Sequence, residues 1–183
     1  MDNTLRSLSG KVAIVTGGSR SIGAAIAKRL ATDGATVAIT YHASPDRAQT
    51  VVDEIVKAGG QAIALAADAG NPDAVRTAVG EVAKRFGKID ILVNNAGISL
   101  LGAPEEFPFE DFQRILAVNV TGVFVATQEA LRHMGQGGRI IHIGSSVTHY
   151  VGLATASAYT LTKGAVTGFT RGLVRDLGPR VSV

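Results

Sequence analysis

Ser146, Tyr159 and Lys163 stand in the spacing Ser-x12-Tyr-x3-Lys. These residue types at this spacing can do proton chemistry. A helix carrying Tyr159 and Lys163 would put both on one face. A phenol with a pKa of about 10 is a weak base at neutral pH. A neighbouring ammonium favours the phenolate and lowers that value, while burial opposes the shift. Where the charge effect wins, Tyr159 becomes a usable general acid/base toward a carbonyl or alcohol. Ser146 follows an apolar run and can hydrogen-bond a substrate oxygen as charge develops on it. On its own, Tyr-x3-Lys is more often a surface pair. Two upstream motifs change that reading.

The first is Thr16-Gly17-Gly18-Ser19-Arg20-Ser21-Ile22-Gly23. It lies between an apolar run and a helical pattern. Exposed N–H groups and a helix N-terminus in that context favour a pyrophosphate over an ordinary turn. Gly17 and Gly23 fit the spacing Gly-x3-Gly-x-Gly, but Ser21 replaces the middle glycine. A serine has a Cβ and resists unusual φ values. Its hydroxyl could instead donate to a phosphate oxygen. The second motif is Asn94-Asn95-Ala96-Gly97, after the fourth apolar run. Small residues there suit close approach of a ligand, and the asparagines suit tying neighbouring strands together. Both roles are expected.

The elements that must position these groups alternate. Strands are predicted over 12–15, 36–40, 62–66, 89–93 and 139–143, with a sixth opening at 180–183. Helices are predicted between them. Ile22, Ile26 and Leu30 recur at helical spacing. Ser44 before Pro45 reads as an N-cap, with Val51, Val52, Ile55 and Val56 as the apolar face. Asn71-Pro72 opens the next helix, with Val75, Val79, Val82 and Phe86 inward and Gly87 closing it. A long helical stretch runs over 109–134, with a break expected near Thr121-Gly122. Another covers 157–177. The strands read as doubly covered apolar runs. The alternation predicts one doubly wound α/β domain over 1–183, a parallel sheet with helices on both faces.

Bulk properties narrow the classes. The 183 residues are 46% hydrophobic and 18% charged, which is globular. Net charge is +3 with a pI of about 9.4, but no Lys/Arg stripe interleaves with aromatics, so no nucleic acid is expected. Cysteine is absent, which removes thiol chemistry and suits a reducing cytoplasm. The first ten residues are polar and read as no signal peptide. No apolar run reaches the roughly 18 residues of a membrane span. No metal is expected.

With the glycine turn, Asn94 to Gly97, Ser146, Tyr159 and Lys163 all present, the chain resembles the short-chain dehydrogenase/reductase family from about Leu8 to Val183. It looks most like its 3-oxoacyl-carrier-protein reductase-like members. The resemblance implies that Gly17, Ser19, Arg20, Ser21, Ile22 and Gly23 hold the cofactor's phosphates and adenosine ribose. Asp68 would face the adenine, and Asn95, Ala96 and Gly97 would form the floor. Asn119 matches an asparagine that holds a water in a proton relay. Ser146 matches the substrate-oxygen donor and Tyr159 the acid/base. Lys163 matches the lysine that binds the nicotinamide ribose and tunes the tyrosine.

The second strand ends in Thr40-Tyr41-His42-Ala43-Ser44, with no carboxylate before Asp46. A carboxylate there would hold the ribose of NAD and repel a 2′-phosphate. Its absence, with Arg20 in the turn, predicts NADP(H); Tyr41, His42 and Ser44 are candidate contacts. The expected reaction interconverts a ketone and a secondary alcohol. The substrate is either a 3-oxoacyl thioester or a small ketone, against a largely apolar wall of Leu100, Leu101, Val147, His149, Tyr150 and Leu153.

The resemblance also implies a homodimer or homotetramer. Family members continue into a Pro-Gly turn, a substrate loop and a seventh strand, and the chain as given stops at Val183. Either more chain exists, or a true truncation leaves the pocket open. The second case would favour a rival class, a module that holds NADP(H) without turnover. The intact Ser146, Tyr159 and Lys163 favour the enzyme.

Overall fold

The computed structural model describes residues 7–183; the polar residues 1–6, on which the reading of no signal peptide partly rests, lie outside them. Its strands are β1 (Val12–Val15), β2 (Thr36–Tyr41), β3 (Gln61–Ala66), β4 (Ile91–Asn94), β5 (Gly138–His142) and β6 (Val181–Ser182). Its helices are α1 (Ser21–Thr32), α2 (Pro45–Lys57), α3 (Pro72–Phe86), α4 (Phe109–Leu116), α5 (Gly122–Leu131) and α6 (Ser157–Leu177). The expected doubly wound sheet is present.

All strand pairs are parallel, in the order β3-β2-β1-β4-β5-β6. β1 lies centrally, with Val15 opposite Ile39 on one side and Val93 on the other. The order reverses between β1 and β4. A crevice for ligands opens at such a reversal, beyond the C-terminal strand ends.

Two cores sandwich the sheet. Ile14, Leu92 and Ile140 pack with Val75, Val79 and Val82 of α3 and with Val125 and Ala126 of α5. Val15, Val37, Ile39 and Val93 pack with α1 and α2 on the other face. Leu92 is fully buried, so its truncation to alanine would cost about 2–5 kcal/mol.

The face that α1 presents differs from the expected one. Its buried residues are Gly23, Ala24, Ala27 and Ala31, while Ile22 is 58% exposed and Ile26 and Leu30 are only partly buried. Small side chains let the helix backbone sit close to the sheet, and the bulkier residues flank it. In α2, Val51, Val52 and Ile55 are buried but Val56 is 54% exposed. Ser44 occupies the N-cap position without a side-chain capping bond. Asn71 caps α3 as expected, its Oδ1 accepting from the N–H of Asp73 and Ala74, and Gly87 closes that helix at φ 79°.

The break expected near Thr121 is a π-helical turn over Ala117–Thr121, where the Gly122 N–H reaches back to the Ala117 carbonyl. A Cβ on Gly122 would lie 2.1 Å from the carbonyl oxygen of Ala69. Only glycine allows that approach, and the widened turn brings this helix against the 67–70 loop.

β5 departs from the doubly covered expectation. Ile140 is buried, but Arg139 and Ile141 are exposed on the opposite face. They share the face of Ile91 and Val93 through the β4–β5 register. Among the described residues, no helix beyond α1 covers that part of the sheet. No helix among them is long and apolar enough to cross a membrane.

Candidate active site

A cleft of about 680 Å³ opens at the sheet's reversal. Gly17 to Gly23, apart from Gly18, line one side; Tyr41, His42 and Ser44 line its end. Asp68, Asn95, Ala96 and Gly97 also face it. Every expected cofactor residue outside α6 therefore meets in one cavity. The structure adds Thr40, Ala67, Gly70, Ile98 and Arg114, to which no role was assigned from sequence.

Two glycines in the turn are dictated by contact. Gly17 has φ 66°, and a Cβ on it would lie 3.0 Å from Ala96 Cα. On Gly23 a Cβ would sit 2.4 Å from the Gly17 carbonyl and 2.5 Å from Asn95 Nδ2. Ser21 nonetheless adopts φ 50°, the left-handed conformation its missing glycine would hold freely. The first helical bond of α1 runs from the Ala24 N–H to the Arg20 carbonyl. The N–H groups before it have no partner within the helix and suit an anion.

Thr16 knots the turn to the β4 loop. Its hydroxyl accepts from the N–H of Asn95 and Ala96, both at 3.0 Å, and donates to the Val93 carbonyl at 3.4 Å. Asn95 answers by donating its amide to the carbonyls of Thr16 and Gly17, at 2.9 and 3.1 Å. Thr40 fixes the far side, accepting from the Gly17 N–H at its hydroxyl and from the Gly18 N–H at its carbonyl. The sequence signal for Thr16 is a threonine placed between an apolar run and the glycine turn.

The outer wall carries charge. His42 Nδ1 lies 3.5 Å from Asp68 Oδ2, and Asp68 Oδ1 accepts from the Gly70 N–H at 2.9 Å. Gly70 packs on Val118 and Ala117, so α4 and its π turn form the opposite wall. Arg20 and Arg114 are exposed cations lining this cleft.

At the inner end the floor meets α6. Lys163 is buried and donates its ammonium to the Ile143 carbonyl at 2.8 Å. Its Nζ lies 5.9 Å from the Tyr159 ring centroid, and burial holds its pKa below the usual lysine range. A Cβ built on Gly97 would lie 3.8 Å from that Nζ and 3.4 Å from Asn119 Oδ1. The floor of the cleft thus abuts both side chains.

Asn119 is 1% exposed, so it is no surface residue. Its Oδ1 accepts from the Ile98 N–H at 2.9 Å. Its Nδ2 donates to the Ile98 carbonyl at 2.8 Å and to Thr162 Oγ1 at 3.1 Å. Thr162 donates in turn to the Tyr159 carbonyl at 2.7 Å. This side chain bonds the β4 loop and α6 together.

Ser146 begins a short 3-10 turn three residues after Ile143, whose carbonyl holds Lys163. Its carbonyl accepts from the N–H of His149 and Tyr150. Ser146 is exposed and Tyr159 half-buried. Among the described residues, neither hydroxyl has a hydrogen-bond partner. Both are free for a ligand.

Known proteins resemble this chain along most of its length. A family model described as short chain dehydrogenase matches residues 11–183. An uncharacterized oxidoreductase of Methylorubrum extorquens is 46% identical over 173 residues, covering 94% of this chain and 69% of that protein. Elsinochrome reductase 1 of Elsinoe fawcettii is 43% identical over 173 residues, covering 94% of this chain and 65% of that protein. A short chain dehydrogenase from Burkholderia cenocepacia J2315, solved in complex with NADP, superposes with a TM-score of 0.94 at 55% identity. That match covers 96% of this chain and 72% of the Burkholderia chain.

Proposed function

Because the chain belongs to the short-chain dehydrogenase family, we propose that it is an NADP(H)-dependent oxidoreductase that interconverts a ketone and a secondary alcohol. The observation that carries this reading is the placement of Lys163. Its buried ammonium stands beside the Tyr159 ring and against Gly97, at the inner end of the glycine-walled cleft.

The cleft fits a dinucleotide. Gly17 and Gly23 leave no room for a Cβ, Ser21, Ile22 and Gly23 at the α1 N-terminus line the cleft, and the volume is ample. Gly17, Ser19, Arg20, Ser21, Ile22 and Gly23 would hold the phosphates. Asp68 would face the adenine, and Asn95, Ala96 and Gly97 would form the floor. Tyr159 and Lys163 would hold the nicotinamide ribose. No carboxylate follows β2 through Ser44. Asp68, the acid on that side, has His42 as its partner. A 2′-phosphate could sit near Arg20, His42 and Ser44, where Arg20 supplies a cation. Tyr41 lines the same end of the cleft.

When bound, NADPH supplies the hydride for the carbonyl carbon. The chain's own groups handle position and protons. Ser146 donates a hydrogen bond to the carbonyl oxygen. Tyr159 gives that oxygen its proton, and the Lys163 ammonium steadies the phenolate left behind. Alcohol oxidation uses the same groups in reverse. Asn119 serves by fixing Ile98 and α6 around them.

The absence of cysteine fits a reducing cytoplasm. Oligomerisation has a candidate face. A groove of about 290 Å³ between α5 and α6 is lined by Val120, Phe124, Val166 and Phe169, and Phe124 is 48% exposed. We assign that face to a second copy, giving a dimer or tetramer.

Tyr159→Phe tests the function. Turnover should fall by about 100-fold or more while NADPH affinity stays within about threefold. Retained turnover would overturn the assignment. NADPH binding without turnover in the unaltered chain would instead support the rival reading of a non-catalytic nucleotide module.

A further inference from the structure

On that reading of the site, we propose that the substrate is a neutral, largely apolar ketone, and that the mouth of the site discriminates against acyl groups carried on a phosphorylated thioester such as coenzyme A. The chemistry is that of the proposed site; the substrate class comes from the charge and polarity of its rim.

Two loops of that rim are tied together in the structure. The Gly102 N–H donates to the Thr155 carbonyl at 3.0 Å, joining the segment after β4 to the segment after β5. Thr155 is held at φ 64°, a conformation unusual for a residue with a branched Cβ. Two residues later α6 begins and carries Tyr159. At the other end, the Tyr150 N–H bonds the Ser146 carbonyl, so Tyr150 lies within one turn of the proposed oxygen donor. The rim therefore flanks the reacting groups on both sides.

Its surface is apolar. Leu101, Tyr150, Val151 and Leu153 are all exposed large hydrophobics, with Tyr150 at 77%. Isolated exposed apolar residues need no explanation, but several on two joined loops beside a site mark a binding surface. Its charge is as telling. Residues 98–107 contain Glu105 and Glu106 and no lysine or arginine; residues 144–156 contain no lysine, arginine, aspartate or glutamate, and His149 is their single histidine. Both glutamates are exposed, and among the described residues neither has an ion-pair partner. They follow Gly102 closely, in the turn closed by the Glu106 N–H and the Ala103 carbonyl. A phosphate-bearing carrier needs guanidinium or ammonium donors where it docks. These two loops offer two carboxylates instead, which repel it.

A matched set of substrates reads the inference out. The chain with NADPH is assayed on 1-tetralone, acetoacetyl-N-acetylcysteamine and acetoacetyl-coenzyme A, at low and high salt. Binding of each to the NADP+-loaded chain is measured by calorimetry. The two thioesters share an acyl group and differ in phosphate. The expected result is that 1-tetralone exceeds both by about tenfold in kcat/KM and in affinity. The coenzyme A ester should be the poorest at low salt and recover toward its neutral counterpart as salt screens the glutamates. Leu153→Asp should weaken 1-tetralone binding by about tenfold. Glu105→Lys with Glu106→Lys should improve the coenzyme A ester selectively. A coenzyme A ester that outperforms its neutral counterpart, with an advantage that salt removes, overturns the proposal. Failure of 1-tetralone to bind also overturns it. The reductase reading stands or falls separately. Turnover of the coenzyme A ester that exceeds that of its neutral counterpart at low salt and is lost in Tyr159→Phe would sink the rim inference alone. Tight 1-tetralone binding with no turnover would sink the reductase reading and leave the rim preference standing.

Discussion

Asn119 closes both main-chain hydrogen bonds of Ile98, accepting from its N–H at 2.9 Å and donating to its carbonyl at 2.8 Å. The amide replaces a missing neighbouring strand for the residue that follows the cleft floor. Its second Nδ2 proton reaches Thr162, so one buried side chain spans the β4 loop, the π turn and the helix bearing Tyr159. Asn119→Ala strands both polar groups of Ile98. It should cost about 2–3 kcal/mol in urea unfolding and also reduce turnover. Lost turnover at unchanged stability would instead assign Asn119 to the proton relay that the family resemblance implies.

Ser21 holds φ 50° with a Cβ. Left-handed backbone costs an L-residue about 1 kcal/mol that glycine avoids. Ser21→Gly regains part of this, less the extra freedom of glycine in the unfolded chain. Its melting temperature should rise by about 2 °C. Ser21→Val should lower it, because a branched Cβ tolerates this conformation least. A fall in melting temperature for Ser21→Gly would show that the serine hydroxyl, not the backbone, dominates at this position.

His142 is half-buried beside Asn94 and Phe169, with Nδ1 3.1 Å from Asn94 Nδ2 and its ring 5.7 Å from the phenyl ring. The amide donates to Nδ1, which leaves the imidazole proton on Nε2. That Nε2 is buried and has no partner among the described residues. Burial pushes the pKa down from 6.5 to about 4. Between those values the unfolded chain binds a proton that the folded chain does not. Stability must therefore fall as pH drops from about 6.5 toward 4. Urea midpoints measured across that window should decline for the unaltered chain and decline less for His142→Asn. Equal slopes would mean that His142 is protonated in the folded state.

Arg20 and Arg114 face the cleft from opposite walls. Arg20 lies in the phosphate turn and should bear on the 2′-phosphate. Arg20→Ala should weaken NADPH by about tenfold or more and NADH much less, as expected for one charge-assisted bond. Arg114 on α4 lines the same cleft one turn before Val118, which packs on Gly70, and should bear on the adenosine shared by both cofactors. Arg114→Ala should weaken NADPH and NADH by similar factors. Fluorescence titrations at two salt concentrations separate the cases. An Arg20→Ala chain that still prefers NADPH would move the selectivity to His42 and Ser44.

Much of this protein could be read locally. Strand and helix alternation follows from the period of apolar residues, and Asn71-Pro72 with Gly87 brackets α3 through bonds within a few residues. The glycine turn was legible because a Gly17 at positive φ and a close-packed Gly23 leave a chemical trace in the residue type. Tyr159 and Lys163 were legible because helix geometry alone puts them on one face.

What the sequence determined by itself was therefore the fold class, the phosphate turn and the candidate proton-handling residues, since each depends on neighbours within a turn or two. The tertiary structure decided the rest. Ile22 recurred at helical spacing, yet the alanines of α1 face the sheet, because close helix packing there needs small residues. Thr16, Asn119 and His142 took their roles from Asn95, Ile98 and Asn94, partners 79, 21 and 48 positions away. The rim arises where loops distant in the chain meet, as the bond from the Gly102 N–H to the Thr155 carbonyl shows. Hydrogen bonds and burial act through space, and no local pattern encodes which distant residue will arrive.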